Sequence, residues 1–181
     1  LLQFLRITDA ATPAFKQAWQ LYEEAFPPEE RRLLLQQQRL LQEPHYQFKI
    51  ILVDNSFVGL FCTWQFPLFS FLEHFAINPS CRGRGVGAAA LRLWVEQAAL
   101  PLVLEVELPE TETAKRRVKF YQRAGFYLNE HNYLQPPYSP EKSWVPLQIM
   151  SYPQLLEKLD FERTVQIIYR QVYQLNSYKP N

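Results

Sequence analysis

An α/β fold, with α+β character and a mixed, mostly antiparallel sheet, is predicted by three observations. The first is a strand, a glycine-arginine turn, a helix and a further strand, running from Phe69 to Leu108. The second is a pair of apolar runs, Tyr46 to Val53 and Phe57 to Phe66, separated by the turn signal Asp54-Asn55-Ser56, which reads as a hairpin. The third is a pair of late strands, Phe126 to Leu134 and Ser143 to Ser151, joined by a proline-rich connection unsuited to strand interior.

In chain order, Leu2 to Ile7 reads as the first strand. Ala14 to Phe26 carries a helical apolar stripe in Phe15, Ala18, Trp19, Tyr22 and Phe26. Pro27-Pro28 ends it, and Glu29-Glu30 is expected to open a second helix reaching about Leu41, with its acids in the first turn. The hairpin strands follow, then Phe69 to Ile77 as a fourth, largely buried strand. Val86 to Ala99 is expected as a helix with Val86, Ala89, Ala90, Leu93 and Trp94 on one face, and Leu102 to Leu108 as the strand completing a right-handed βαβ unit. Glu112 to Ala124 is a basic helix with Gly125 at its end. From Phe161, the spacing of Val165, Ile168, Val172 and Leu175 places one apolar seam on a final helix. Such a seam docks on the parent domain or, in the sharper reading, pairs with a second copy as a homodimer.

Composition narrows the function classes. A chain of 181 residues with 48% hydrophobic content buries a sizeable core. A net charge of +1 gives no electrostatic footprint for nucleic acid. No run approaches the roughly 20 apolar residues of a membrane span, and no signal-peptide pattern opens the chain. Cys62 and Cys81 read as reduced thiols of a cytoplasmic protein, and three scattered histidines give no metal signal.

The chemistry concentrates at Arg82-Gly83-Arg84-Gly85-Val86-Gly87. Glycine is costly to order, so three in six positions at a helix entrance imply a close backbone approach. The free N–H groups and partial positive charge of the helix end, beside two arginines, call for a phosphate. Gly83-x-Gly85-x-x-Ala88, with Glu105 roughly 20 residues on, also meets a relaxed dinucleotide fingerprint. Against that reading, Asn78 to Arg82 separate the glycines from the strand, and no second βαβ unit follows.

The turn resembles the R/Q-x-x-G-x-G/A motif of the GNAT N-acetyltransferase superfamily through Arg82, Gly85 and Gly87, and Phe120 to Phe126 resembles its F-Y-x-x-x-G-F segment. The likeness covers Leu2 to about Tyr152, which makes residues 1–152 the expected acetyltransferase domain and 153–181 a helical extension packed on it. It implies a twisted sheet splayed between strands four and five. It also implies acetyl-CoA as cosubstrate, its pantetheine along Phe75, Ala76 and Ile77 and its pyrophosphate on the N–H groups from Gly83 to Ala88. Ala114 stands where relatives often carry asparagine, so one hydrogen bond of the family pattern is missing or supplied otherwise.

Acetyl transfer to an amine needs a proton acceptor, an oxyanion partner and a proton for the departing thiolate. Glu73, on the fourth strand, is the candidate base, and strand alternation is expected to place it with Phe75 and Ile77, opposite His74. A second reading, an ion pair at a strand end, stays open for it. Tyr121 is the candidate acid, since the matching tyrosine donates the proton in many relatives; a core tyrosine is the other reading. Lys115, Arg116, Lys119 and Arg123 form a solvated face from which Arg123 is expected to reach the CoA 3′-phosphate. Cys81 has no histidine placed to activate it. The acceptor is expected to be a small-molecule or peptide amine; the resemblance implies that the first two helices and the last hairpin wall its site, which brings Glu23, Glu24, Glu29 and Glu30, in the other reading ordinary exposed glutamates, and Tyr133 and Tyr138, which line a cleft or pack the proline-rich loop. A catalytically silent CoA-binding sensor is the alternative.

Overall fold

The computed structural model describes residues 1–175 and divides them between two compact units, one from Leu1 to Leu104 and one from Glu105 onward. Among the described residues five α-helices and eight strands are formed. Among the described residues, no helix is long and apolar enough to cross a membrane.

The first unit holds β1 (Leu2–Arg6), α1 (Pro13–Ala25), α2 (Leu34–Leu40), β2 (Tyr46–Val53), β3 (Ser56–Gln65), β4 (Ser70–Ile77) and α3 (Val86–Glu96), with the start of β5 (Leu102–Glu107). Strands β1 to β4 are consecutive antiparallel neighbours, while β5 joins β4 in parallel. The β2–β3 hairpin closes on Asp54 and Asn55, both with positive φ (49° and 63°), as the short two-residue connection requires. Alternation then sorts the aromatic residues onto two faces. Phe48 meets Phe15 of α1, whereas Phe61 meets Phe4, Phe75 and Trp94 of α3. Each fully buried ring of this kind contributes on the order of 1.5–3 kcal/mol.

Two expectations in this unit are corrected. The second helix does not start at Glu29: Pro28–Glu30 forms one 3-10 turn, the chain is extended at Arg31 and Leu33, and α2 begins at Leu34. Tertiary hydrogen bonds outweigh helix propensity here. The Arg32 N–H donates to the Tyr22 hydroxyl, and the Glu30 carbonyl lies 2.8 Å from His74 Nε2. The buried face of α3 is Ala90, Leu91 and Trp94, so Ala89 turns to solvent. Leu91 joins the seam instead of Leu93, because it lies three residues before Trp94.

The second unit contains the end of β5, α4 (Glu112–Gln122), β6 (Tyr127–Leu128), β7 (Tyr133–Gln135), β8 (Val145–Tyr152) and α5 (Lys158–Gln171). The single late strand expected over Phe126 to Leu134 is broken into β6 and β7, both antiparallel to β8. Asn129 makes the break: its Nδ2 donates to the Ile149 carbonyl and Ser151 Oγ, and its Oδ1 accepts from the Leu156 N–H. The seam of α5 is buried at Phe161, Val165 and Ile168, continuing to Val172 past its end. Leu175 lies beyond the helix, its N–H given to the Tyr169 carbonyl.

Candidate functional site

The phosphate-loop residues sit where β4 gives way to α3. Asn78 accepts from the Ser80 N–H and turns the chain through Pro79–Cys81. Arg82 Nε then donates to the Ile77 carbonyl at 3.0 Å, tying the loop back to the strand end. Gly83 and Gly85 take φ of 75° and 77°, the left-handed region in which a side chain is strained. A Cβ at either glycine would meet nothing within 4 Å, so their fronts are open. Gly85 caps α3 without any side-chain cap, which leaves the first-turn N–H groups of Val86, Gly87 and Ala88 outside the intrahelical ladder. Arg82 and Arg84 are exposed beside it. Open glycines, a bare helix end and two exposed guanidiniums fit a diphosphate.

The adjoining stretch of β4 is prepared on one edge only. Phe75, Ala76 and Ile77 pair with Phe61, Leu60 and Gly59 of β3, whereas the parallel register with β5 runs only from Ser70↔Leu102 to Leu72↔Leu104. The edge of Glu73–Ile77 away from β3 therefore lies outside that ladder, as expected for the splay. Backbone groups there are suited to an extended amide-bearing chain.

Glu73 departs from simple alternation. Cys62 pairs with His74 and Thr63 with Leu72, so Glu73 is the extra residue of a β-bulge. The bulge turns its carboxylate to the same side as His74, with Oε2 at 3.8 Å from His74 Nδ1. Sharing a face with Phe75 and Ile77 is thus corrected. The side chain is fully buried (0% exposed) while the residue as a whole is half-buried, so its main chain is what reaches solvent. Arg32 Nη1 lies 2.6 Å from Oε1, and Trp64 Nε1 donates to Oε2 at 2.8 Å. Arg32 also stacks near the rings of Tyr46 and Trp64, at 6.0 and 5.9 Å. Burial lowers the His74 pKa to about 4, which keeps the imidazole neutral at pH 7 against the opposing pull of Glu73.

This buried cluster is what sequence reading missed. Arg32 lay inside an expected helix, Trp64 inside an expected strand, and Tyr22 on the apolar stripe of the first helix. The signal available was Glu73 itself, since a carboxylate in an apolar strand demands a partner.

Tyr121 lies on the buried side of α4, against Phe120 and Phe126. Burial raises its pKa to about 12, with Arg117 opposing, so the phenol is protonated at neutral pH. The remaining basic residues of α4, with Arg123 at its C-cap, are exposed; Arg117 pairs with Glu107 and Lys115 with Glu112. Glu23, Glu24 and Glu29 are likewise exposed, which is the ordinary state of surface glutamates. Cys62 is buried, its thiol pushed up to about 12 by burial, and Cys81 is half-buried; both are free thiols.

The family model of the acetyltransferase (GNAT) family matches residues 11–126, which include the glycine loop and Tyr121. The chain belongs to that family. Among solved structures, a GNAT-family chain from Bacteroides thetaiotaomicron is 36% identical, with a TM-score of 0.91 over 96% of this chain and 99% of that one. An Elizabethkingia anophelis GNAT acetyltransferase with acetyl-CoA bound is 14% identical, with a TM-score of 0.57 over 83% and 96% of the two chains. The IAA acetyltransferase from Bacillus cereus ATCC 14579 is 15% identical, with a TM-score of 0.54 over 83% and 98% of the two chains. The last two share the fold. No match was found among curated proteins.

Proposed function

We propose that this chain is an acetyl-CoA-dependent N-acetyltransferase that moves an acetyl group directly onto a primary amine. The observation that carries this reading is the bare N-terminus of α3 behind two left-handed glycines with open space before them. Acetyl-CoA supplies an activated thioester. Val86, Gly87 and Ala88 N–H groups, with Gly83, Arg82 and Arg84, hold its pyrophosphate, and Arg123 is the proposed partner of its 3′-phosphate. The stretch of β4 at Phe75, Ala76 and Ile77, past the register with β5, aligns the pantetheine, and a main-chain N–H there faces the charge that develops on the carbonyl oxygen. Tyr121 donates the proton that the leaving thiolate takes up; a phenol held protonated by burial suits that task.

Glu73 is assigned a positioning part. Its carboxylate is engaged by Arg32 and Trp64, and what it contributes to β4 is a fixed bulge that presents main chain outward. Proton acceptance by Glu73 would require its release from Arg32. That engagement is also the one observation favouring the alternative, a CoA-binding module without turnover. The dinucleotide reading loses its ground, since the loop lies inside the family match. Residues 1–152 remain the proposed transferase domain with 153–181 as its extension, and a cytoplasmic, amine-modifying role is proposed for it.

Thiol release from acetyl-CoA across a panel of primary amines tests the reading. Amine-dependent release that Tyr121→Phe reduces supports the transferase; binding of acetyl-CoA with no release in the parent or in Glu73→Gln supports the silent module.

A further inference from the structure

Within the second unit, a groove of about 200 Å³ opens between the β6–β7 connection and α5. Its floor is apolar: Phe161 and Val165 are buried, and the half-buried His131 sets its ring 4.6 Å from that of Phe161. Its rim is polar and ordered. Lys158, Glu162 and Gln166 line it in steps of four residues, so a cation, a carboxylate and an amide follow one another about 6 Å apart. Asn132, in the β6–β7 connection, brings a second amide. These four side chains are exposed, and among the described residues none of them has a hydrogen-bond or ion-pair partner within the protein. Asp160, the acid between Lys158 and Glu162 in sequence, lies instead 3.9 Å from Arg163.

The order of these groups decides what the groove takes. Polar residues on a solvated helix face are ordinary; a row of three along one apolar-floored groove is not. Lys158 offers a compact positive charge to a phosphate. The Glu162 carboxylate only accepts, which suits the paired hydroxyls of a ribose. It also repels the phosphate, and so fixes the direction of the ligand along α5. An amide such as Gln166 or Asn132 accepts from one atom and donates to its neighbour, the pattern that adenine shows at N6 and N7. Guanine presents two acceptors on that edge and calls for an arginine, and none lines the groove. The His131 ring gives a base its stacking partner. Cation, acceptor, then amide beside a ring is the complement of phosphate, sugar and base.

We propose that the groove beside α5 binds an adenine mononucleotide, with Lys158 at the phosphate, Glu162 at the ribose hydroxyls, and Gln166 and Asn132 at the adenine edge. Its volume lies below the roughly 300–1,000 Å³ of sites that enclose drug-sized ligands, which suits a ligand held by base and sugar with its phosphate at the exposed Lys158. The site lies wholly past residue 126, outside the span of the family match, and shares no residue with the glycine loop. It does not rest on the transferase reading.

The test is a calorimetric titration of AMP into the full chain, without and with saturating acetyl-CoA. The expected result is a saturable AMP site that survives saturation with acetyl-CoA, weakened at least tenfold in Lys158→Gln and severalfold in Gln166→Ala. GMP should bind the parent at least tenfold less tightly than AMP. Both substituted side chains are exposed, so the variants are expected to keep the parent's fold, which their thermal melts check. AMP affinity equal in the parent and either variant overturns the proposal, as does GMP binding as tight as AMP, or no saturable AMP binding up to about 10 mM. Loss of AMP binding on saturation with acetyl-CoA overturns it too, since the nucleotide then enters the coenzyme loop alone. Failure of acetyl-CoA itself to bind counts instead against the transferase reading and leaves the AMP comparison intact.

Discussion

Arg32 Nη1 lies 2.6 Å from Glu73 Oε1, and neither side chain is more than 6% exposed. The pair bolts the segment before α2 onto the bulge of β4. Removing one partner of a buried pair strands the other charge, at a cost of about 3–5 kcal/mol. Arg32→Ala is therefore expected to lower the urea midpoint sharply, and Arg32→Met combined with Glu73→Gln to recover most of that loss. A double variant as unstable as the single one would show that the pair itself, not the stranded charge, holds the fold.

His74 makes acid stability measurable. Its folded pKa of about 4 lies below the ordinary 6.5, because burial disfavours the charged form. Between those values the unfolded chain binds more protons, so stability is complete above about 6.5 and falls as the pH drops towards 4. The full shift corresponds to roughly 3 kcal/mol. Thermal melts of the parent and His74→Gln should diverge in slope across this window, the variant losing less; parallel slopes would contradict the assignment.

Gly85 is expected to tolerate a side chain poorly for reasons of backbone, not space. At φ 77° a Cβ is strained by about 1–2 kcal/mol although nothing lies within 4 Å of it. Gly85→Val should cost that much stability and weaken acetyl-CoA at least tenfold by filling the front of the helix end. Gly59 is the opposite case, since its added Cβ would lie 2.4 Å from the Ala76 carbonyl oxygen. Gly59→Ala should destabilise the β3–β4 pair by about 1–3 kcal/mol, read from the same melts.

Tyr121→Phe removes one proton donor and preserves the ring packing against Phe120 and Phe126. Turnover with a saturating amine should fall by about 10²–10⁴, the usual worth of a general acid, with acetyl-CoA affinity within twofold of the parent. Unchanged turnover would return Tyr121 to the core.

The fold was legible wherever local chemistry and tertiary packing agreed. The β2–β3 hairpin and the Arg82–Gly87 turn follow directly from Asp54-Asn55 and from the glycines, whose conformational needs are local. The break at Arg31–Leu33 was not legible, because it depends on Tyr22 and His74 meeting groups of a segment ten and forty-four residues away. The bulge at Glu73 was hidden for the same reason: a period of two cannot show an inserted residue without its partner strand.

Direct titration of acetyl-CoA into the parent chain and Gly85→Val tests the central claim most directly. One saturable site is expected, with a dissociation constant in the micromolar range (about −8 kcal/mol), weakened at least tenfold in the variant. No binding at millimolar acetyl-CoA, or equal binding by both proteins, would contradict it.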